Sequence, residues 1–113
     1  MNCVQVMGRL CRDPEIFTYG KGKDKGKLAR YTLAVDRGFK EDSETDFIPC
    51  VVFGSGADFA EDYFTKGMRI CVTGRLQSGT YETKEGDTRY TLDLLVRSQE
   101  FADSKKDDGK KRK

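Results

Sequence analysis

The sequence predicts an all-β domain, a five-stranded Greek-key barrel with one short helix between strands 3 and 4. Three observations predict it. Five β-prone runs recur along the 113 residues with turn signals between them. The second and fifth runs alternate with period two, and one stretch of helical spacing falls between the third and fourth.

The first run, residues 2–10, is rich in Val and ends before Arg12-Asp13-Pro14-Glu15, which reads as a turn. The second, residues 28–35, sets Tyr31, Leu33 and Val35 against Arg30, Thr32 and Ala34, so one face is buried. The third, residues 46–53, is apolar on both parities, with Ile48, Cys50 and Val52 on one and Phe47 and Phe53 on the other. Between residues 55 and 67, Ala57, Ala60, Tyr63 and Phe64 fall at helical spacing. Ser55 is read there as N-cap, Asp58 as its capping-box partner and Gly67 as the left-handed residue that ends the helix. The fourth and fifth runs, residues 68–76 and 89–96, are joined by a β-arm over residues 81–90 that turns at Lys84-Glu85-Gly86-Asp87. A β-β-β-α-β-β order is that of the oligonucleotide-binding (OB) fold, which separates it from a five-stranded SH3-like barrel or an open meander. Residues 1–101 form this domain. Residues 102–113 lack apolar periodicity and are expected to be a disordered basic tail.

Charge is unevenly spread. Residues 1–103 hold 15 Lys and Arg against 17 Asp and Glu, whereas residues 104–113 hold 6 against 2. Lys21, Lys23, Lys25 and Lys27 also cluster in one Gly-rich stretch, so positive charge lies in flexible segments suited to a polyanion or simply to water. With 36% hydrophobic and 35% charged residues the core is thin, and subunit association is expected to complete it.

The composition argues against several classes. Cys3, Cys11, Cys50 and Cys71 form no Cys-x-x-Cys pair and have no His to join them, so no metal site or other cofactor is expected. No signal peptide and no apolar run of about 20 residues is present, and the reading is a cytoplasmic protein with reduced cysteines and no membrane partner. An enzyme is the least expected class, because there is no His, no phosphate loop and no nucleophile beside an obvious base.

Phe39, Phe47, Phe53 and Tyr81 are the candidate binding residues. Phe47 and Phe53 share a strand face and lie roughly 20 Å apart at about 3.3 Å per residue, and a ring on a solvent face offers a stacking surface to any base. The candidates for phosphate contact are Arg9, Arg30, Lys40, Lys66, Arg75, Lys84 and Arg89. On the residues alone, a third strand buried on both faces competes with the stacking platform.

Gly8-Arg9-Leu10, Arg12-Asp13-Pro14-Glu15, Tyr31-Thr32-Leu33-Ala34-Val35-Asp36-Arg37, the run from Asp46-Phe47-Ile48-Pro49 to Phe53-Gly54, Tyr63-Phe64-Thr65-Lys66-Gly67 and Thr73-Gly74-Arg75-Leu76 occur in order. Over residues 1–101 the chain thereby resembles the bacterial-type single-stranded-DNA-binding proteins of replication, recombination and repair. The resemblance implies sequence-independent binding and protection of single-stranded DNA by stacking on Phe39, Phe47, Phe53 and Tyr81. It also implies a homotetramer whose first strands pair across a two-fold axis, in a bacterial or phage-encoded, nucleoid-associated protein. Two features depart from the family. The sequence has no Trp, and Gly109-Lys110-Lys111-Arg112-Lys113 stands where an acidic recruiting tip is common, so recruitment of other replication and repair proteins is not carried over. The basic run is expected instead to add affinity through counterion release. The competing reading is a primosomal or accessory OB-fold interaction protein with weak single-strand binding, for which the full aromatic set has no evident use. Binding of structured RNA would favour recognition of 2′-hydroxyls and helix shape over a stacking groove.

Overall fold

The computed structural model describes residues 1–22, 25–38 and 44–102. Six strands and one helix follow in the order β1 (Val4–Leu10), β2 (Glu15–Tyr19), β3 (Gly26–Asp36), β4 (Thr45–Phe53), α1 (Ser55–Tyr63), β5 (Arg69–Glu82) and β6 (Thr88–Phe101). The sheet order β1-β5-β6-β4-β3-β2 closes on itself through a second pairing of β1 with β3. All pairings are antiparallel except β4 with β6, which meet in parallel at Cys50↔Leu94 and Val51↔Leu95. This is the expected OB arrangement.

The strand count differs from expectation in one respect. Residues 15–19 form a strand, where a turn leading into a glycine-rich loop was expected. β3 is long enough to serve two neighbours in succession, pairing β1 at Arg9↔Ala34 and Leu10↔Leu33, then β2 from Glu15↔Arg30 to Tyr19↔Gly26. The first barrel strand is therefore one strand broken at residues 11–14, and the ring still has five staves. Asp13 holds the break in place, its carboxylate accepting from the Lys66 N–H at 2.8 Å.

The helix also begins and ends differently. Gly54, at φ 66°, is the N-cap, and no side chain caps the helix, so Ser55 is its first residue and Asp58 has no capping-box partner. The helix stops at Tyr63 because Phe64 is extended, and Gly67 at φ 88° belongs to the turn that leads into β5. Ala57 and Ala60 press α1 onto the barrel, while Lys27 reaches from β3 to Asp58 and Glu61 at 2.7 and 2.8 Å. Those two carboxylates hold the Lys27 ammonium above its ordinary pKa. Lys27 is thus tied to the helix rather than left with the loop lysines.

Inward positions alternate as the second run predicts: Ala29, Tyr31 and Leu33 join Leu10, Cys50, Val52, Ile70, Val72 and Leu94 in the core. In the fifth run the parity holds but the coverage does not. Leu94 is buried and Val96 packs on the core, whereas Leu92 and Tyr90 are exposed because β5 and β6 run on together past the barrel as an arm. Beneath α1 the barrel end is filled by rings: Phe64 meets Tyr31, Phe59 and Phe101 edge-on at 5.6 to 5.9 Å. Each such pair contributes about 0.5–1.5 kcal/mol beyond area burial.

Burial pushes the Cys50 thiol up to about 12, helped by the Asp93 carboxylate, and burial raises the Tyr31 hydroxyl above its ordinary 10.0 while it donates to Gln99 Oε1 at 2.6 Å. In both cases the fold favours the neutral form. The unfolded chain ionises first, so this stability is complete below the unfolded thiol value of 9.0 and is lost as pH rises towards 12. The urea midpoint is therefore expected to fall above pH 9. Thiol labelling at pH 8 should modify exposed Cys3 in the native protein and Cys50 only on unfolding.

Candidate nucleic-acid interface

Directly paired residues on neighbouring strands project from the same side of a sheet, so the strand register places the candidate side chains. On β4, Ile48, Cys50 and Val52 turn inward, while Phe47, Pro49, Val51 and Phe53 turn outward. Phe47 is 62% exposed and Phe53 47%, so the chain itself does not bury the outer face of β4. Val51 alone on that face is covered, lying between Arg30 of β3 and Leu95 of β6.

Three outward rows organise the surface. The central row runs Glu15, Arg30, Val51, Leu95 and Arg75 across five strands. One flanking row carries Phe17, Leu28 and Phe53. The other end carries Arg69, Arg9, Ala34 and Phe47. On the arm, Tyr81 is directly opposite Arg89, on the same outward parity as Arg75 and Leu95, and the Tyr81 ring is 56% exposed. Phe47, Phe53, Tyr81, Arg9, Arg30, Arg75 and Arg89 therefore all face outward from the sheet.

The remaining candidates lie elsewhere. Lys66 is exposed in the turn after α1, beside the β1–β2 break, and Lys84 is exposed at the tip of the arm, where the Thr83 and Asp87 backbones pair at 2.8 Å. Phe39 and Lys40 are outside the described residues. The end of β3 is tied to the start of β4 by Arg37, whose guanidinium donates to Asp46 at 2.8 to 3.1 Å and to Glu44 at 3.2 Å. Hydrogen bonding from Arg37 holds the Asp46 carboxyl below the usual carboxylate range. Arg9 has one guanidinium N–H committed to the Gly67 carbonyl at 2.9 Å, which fixes the direction of the side chain.

Sequence reasoning missed Phe17 and Tyr19. Both are 46% exposed and share the outward face of β2. The Tyr19 ring lies across Gly26, where a Cβ would fall within 2.5 Å of its atoms, and meets the Phe53 ring at 6.3 Å and 74°. The signal was present in Ile16-Phe17-Thr18-Tyr19, four β-prone residues in succession.

Among the described residues the outward face of the sheet offers flat apolar rings together with guanidinium groups. The chain as a whole is similar to known proteins in sequence and in shape. A single-stranded DNA-binding protein of Clostridium perfringens is 46% identical over 105 residues, covering 92% of this chain and 67% of that protein. One from Fusobacterium nucleatum is 41% identical over 114 residues, covering 96% and 71%. In shape, a Plasmodium falciparum SSB in complex with ssDNA matches 91% of this chain and 96% of its own with a TM-score of 0.81, a likeness of fold at 22% identity. The model of the single-strand binding protein family matches residues 1–102, and the chain belongs to that family.

Proposed function

We propose that this protein binds and protects single-stranded DNA without sequence preference, in replication, recombination and repair. One observation carries the reading: Phe47, Phe53 and Tyr81 are all about half exposed on the outward face of the sheet, which Arg9, Arg30, Arg75 and Arg89 share. Bases stack on the rings and phosphates pass the guanidinium groups, with Phe39 as a further stacking residue and Lys40 as a further phosphate contact. Lys66 and Lys84 add charge at its margins. Every base has a π-face, so the surface tolerates any sequence, whereas a duplex keeps its base faces covered.

The working unit is a homo-oligomer, a tetramer of the 12.8 kDa chain. Residues 4–8 of β1 pair with β5 on one side only, since β3 joins β1 at Arg9 and Leu10. A free edge of that length is satisfied by the same strand of a second copy across a two-fold axis.

The test is anisotropy of labelled oligo-dT, the matching duplex and oligo-rU over a salt series. Oligo-dT is expected to bind far more tightly than duplex, with a salt slope near −0.7 per contacted phosphate. Equal, wholly salt-sensitive binding to all three would leave only a basic surface and favour an accessory interaction protein.

A further inference from the structure

We propose that β2 carries a second stacking site, formed by Phe17 and Tyr19, which takes bases of the strand after it leaves Phe53. The inference rests on the single-strand reading above and extends it to a strand that the four-aromatic pattern does not include. Phe17, Leu28 and Phe53 occupy one row on adjacent strands, which places Phe17 about 10 Å from Phe53 at about 4.8 Å per strand. Phe17 and Tyr19 are as exposed as Phe53, at 46% against 47%. A core role does not account for them, since the inward residue of this strand is Ile16.

Gly26 makes the site a surface and not a ridge. Because it has no Cβ, the Tyr19 ring lies down across β3 beside Phe53, at 74° to it, so two rings bound a corner open to solvent. Cations flank the outer end: Lys21 and Lys25 are exposed around the Tyr19↔Gly26 pair that terminates the hairpin. Lys27 points the other way, to Asp58 and Glu61. Rings followed by ammonium groups repeat the composition of the path already described, in the direction a strand leaving Phe53 would take. A base on Phe17 and a phosphate near Lys21 or Lys25 lengthen the footprint of each protomer.

The chain has no Trp, so a single introduced Trp reports on its own surroundings. Two full-length variants are compared, Phe53→Trp and Phe17→Trp, each titrated with oligo-dT long enough to saturate the wild-type protein. Stacking is expected to quench both emissions strongly. Quenching in Phe53→Trp but not in Phe17→Trp overturns the β2 site and leaves the single-strand reading standing; quenching in neither overturns both. As a second measurement, Phe17→Ala with Tyr19→Ala is expected to weaken oligo-dT binding by about tenfold for each ring. The native mass by light scattering and the salt slope should be unchanged. Unaltered affinity, or a fall in mass showing that the rings are a contact between copies of the chain, overturns the proposal.

Discussion

Replacing Phe47, Phe53 and Tyr81 together by Ala is expected to remove about 3–9 kcal/mol of single-strand binding, or about 10²- to 10⁶-fold in Kd, at about 1–3 kcal/mol per stacked base. Phe47 and Phe53 are roughly 20 Å apart along β4, beyond the distance at which substitutions usually couple, so losses at those two should nearly add. All three rings are exposed, so the thermal midpoint should hardly move. The salt slope separates rings from charges. Removing the three aromatics should leave it unchanged, whereas each phosphate-contacting Arg among Arg30, Arg75 and Arg89 replaced by Ala should flatten it by about 0.7. A triple variant within tenfold of wild type by anisotropy would refute the platform.

Leu94→Ala is expected to cost about 2–5 kcal/mol of folding stability, a large part of the roughly 5–15 kcal/mol that holds a domain together. Leu94 is fully buried, lies beside Cys50 in the parallel junction of β4 and β6, and is opposite Leu76 on β5. The cavity left by its side chain opens between three strands, none of which can close it without breaking its ladder. Leu92 is the control, two residues earlier in the same strand and exposed on the arm. Leu92→Ala should change stability by no more than about 0.5 kcal/mol, as surface substitutions usually do. Urea unfolding with unchanged m-values checks both, and equal losses would mean that the arm folds back onto the barrel.

Much of this was legible in the residues. Period two in 28–35 located the core side of β3, because a strand with one covered face must alternate. The resemblance then resolved what periodicity left open at β4, where both parities are apolar. Three features escaped for identifiable reasons. β2 was hidden because its pairing depends on β3 beginning at Gly26, a residue that reads as loop until a partner strand is known. The helix cap was misplaced because Ser55 fits the side-chain rule, whereas the backbone reverses at Gly54 and needs no hydroxyl. Lys27 read as one of four loop cations, since nothing in the chain around it announces Asp58 and Glu61.

The pairing of distant segments also bears on how the chain acquires its shape. β1, made first, finds its main ladder on β5, from Val4↔Gly74 to Arg9↔Arg69, and β5 in turn is flanked by β6 up to Ile70↔Phe101. The junction of β4 and β6 that closes the ring depends on Leu94 and Leu95. A nascent chain ending before those residues can form the β3–β4 hairpin and α1 but not the barrel, and its β1 must wait with Val4 and Val6 uncovered. Such separations in sequence slow folding, because loop entropy is lost before distant contacts compensate. Emergence of β6, and not synthesis of any earlier segment, is what allows this chain to close its barrel.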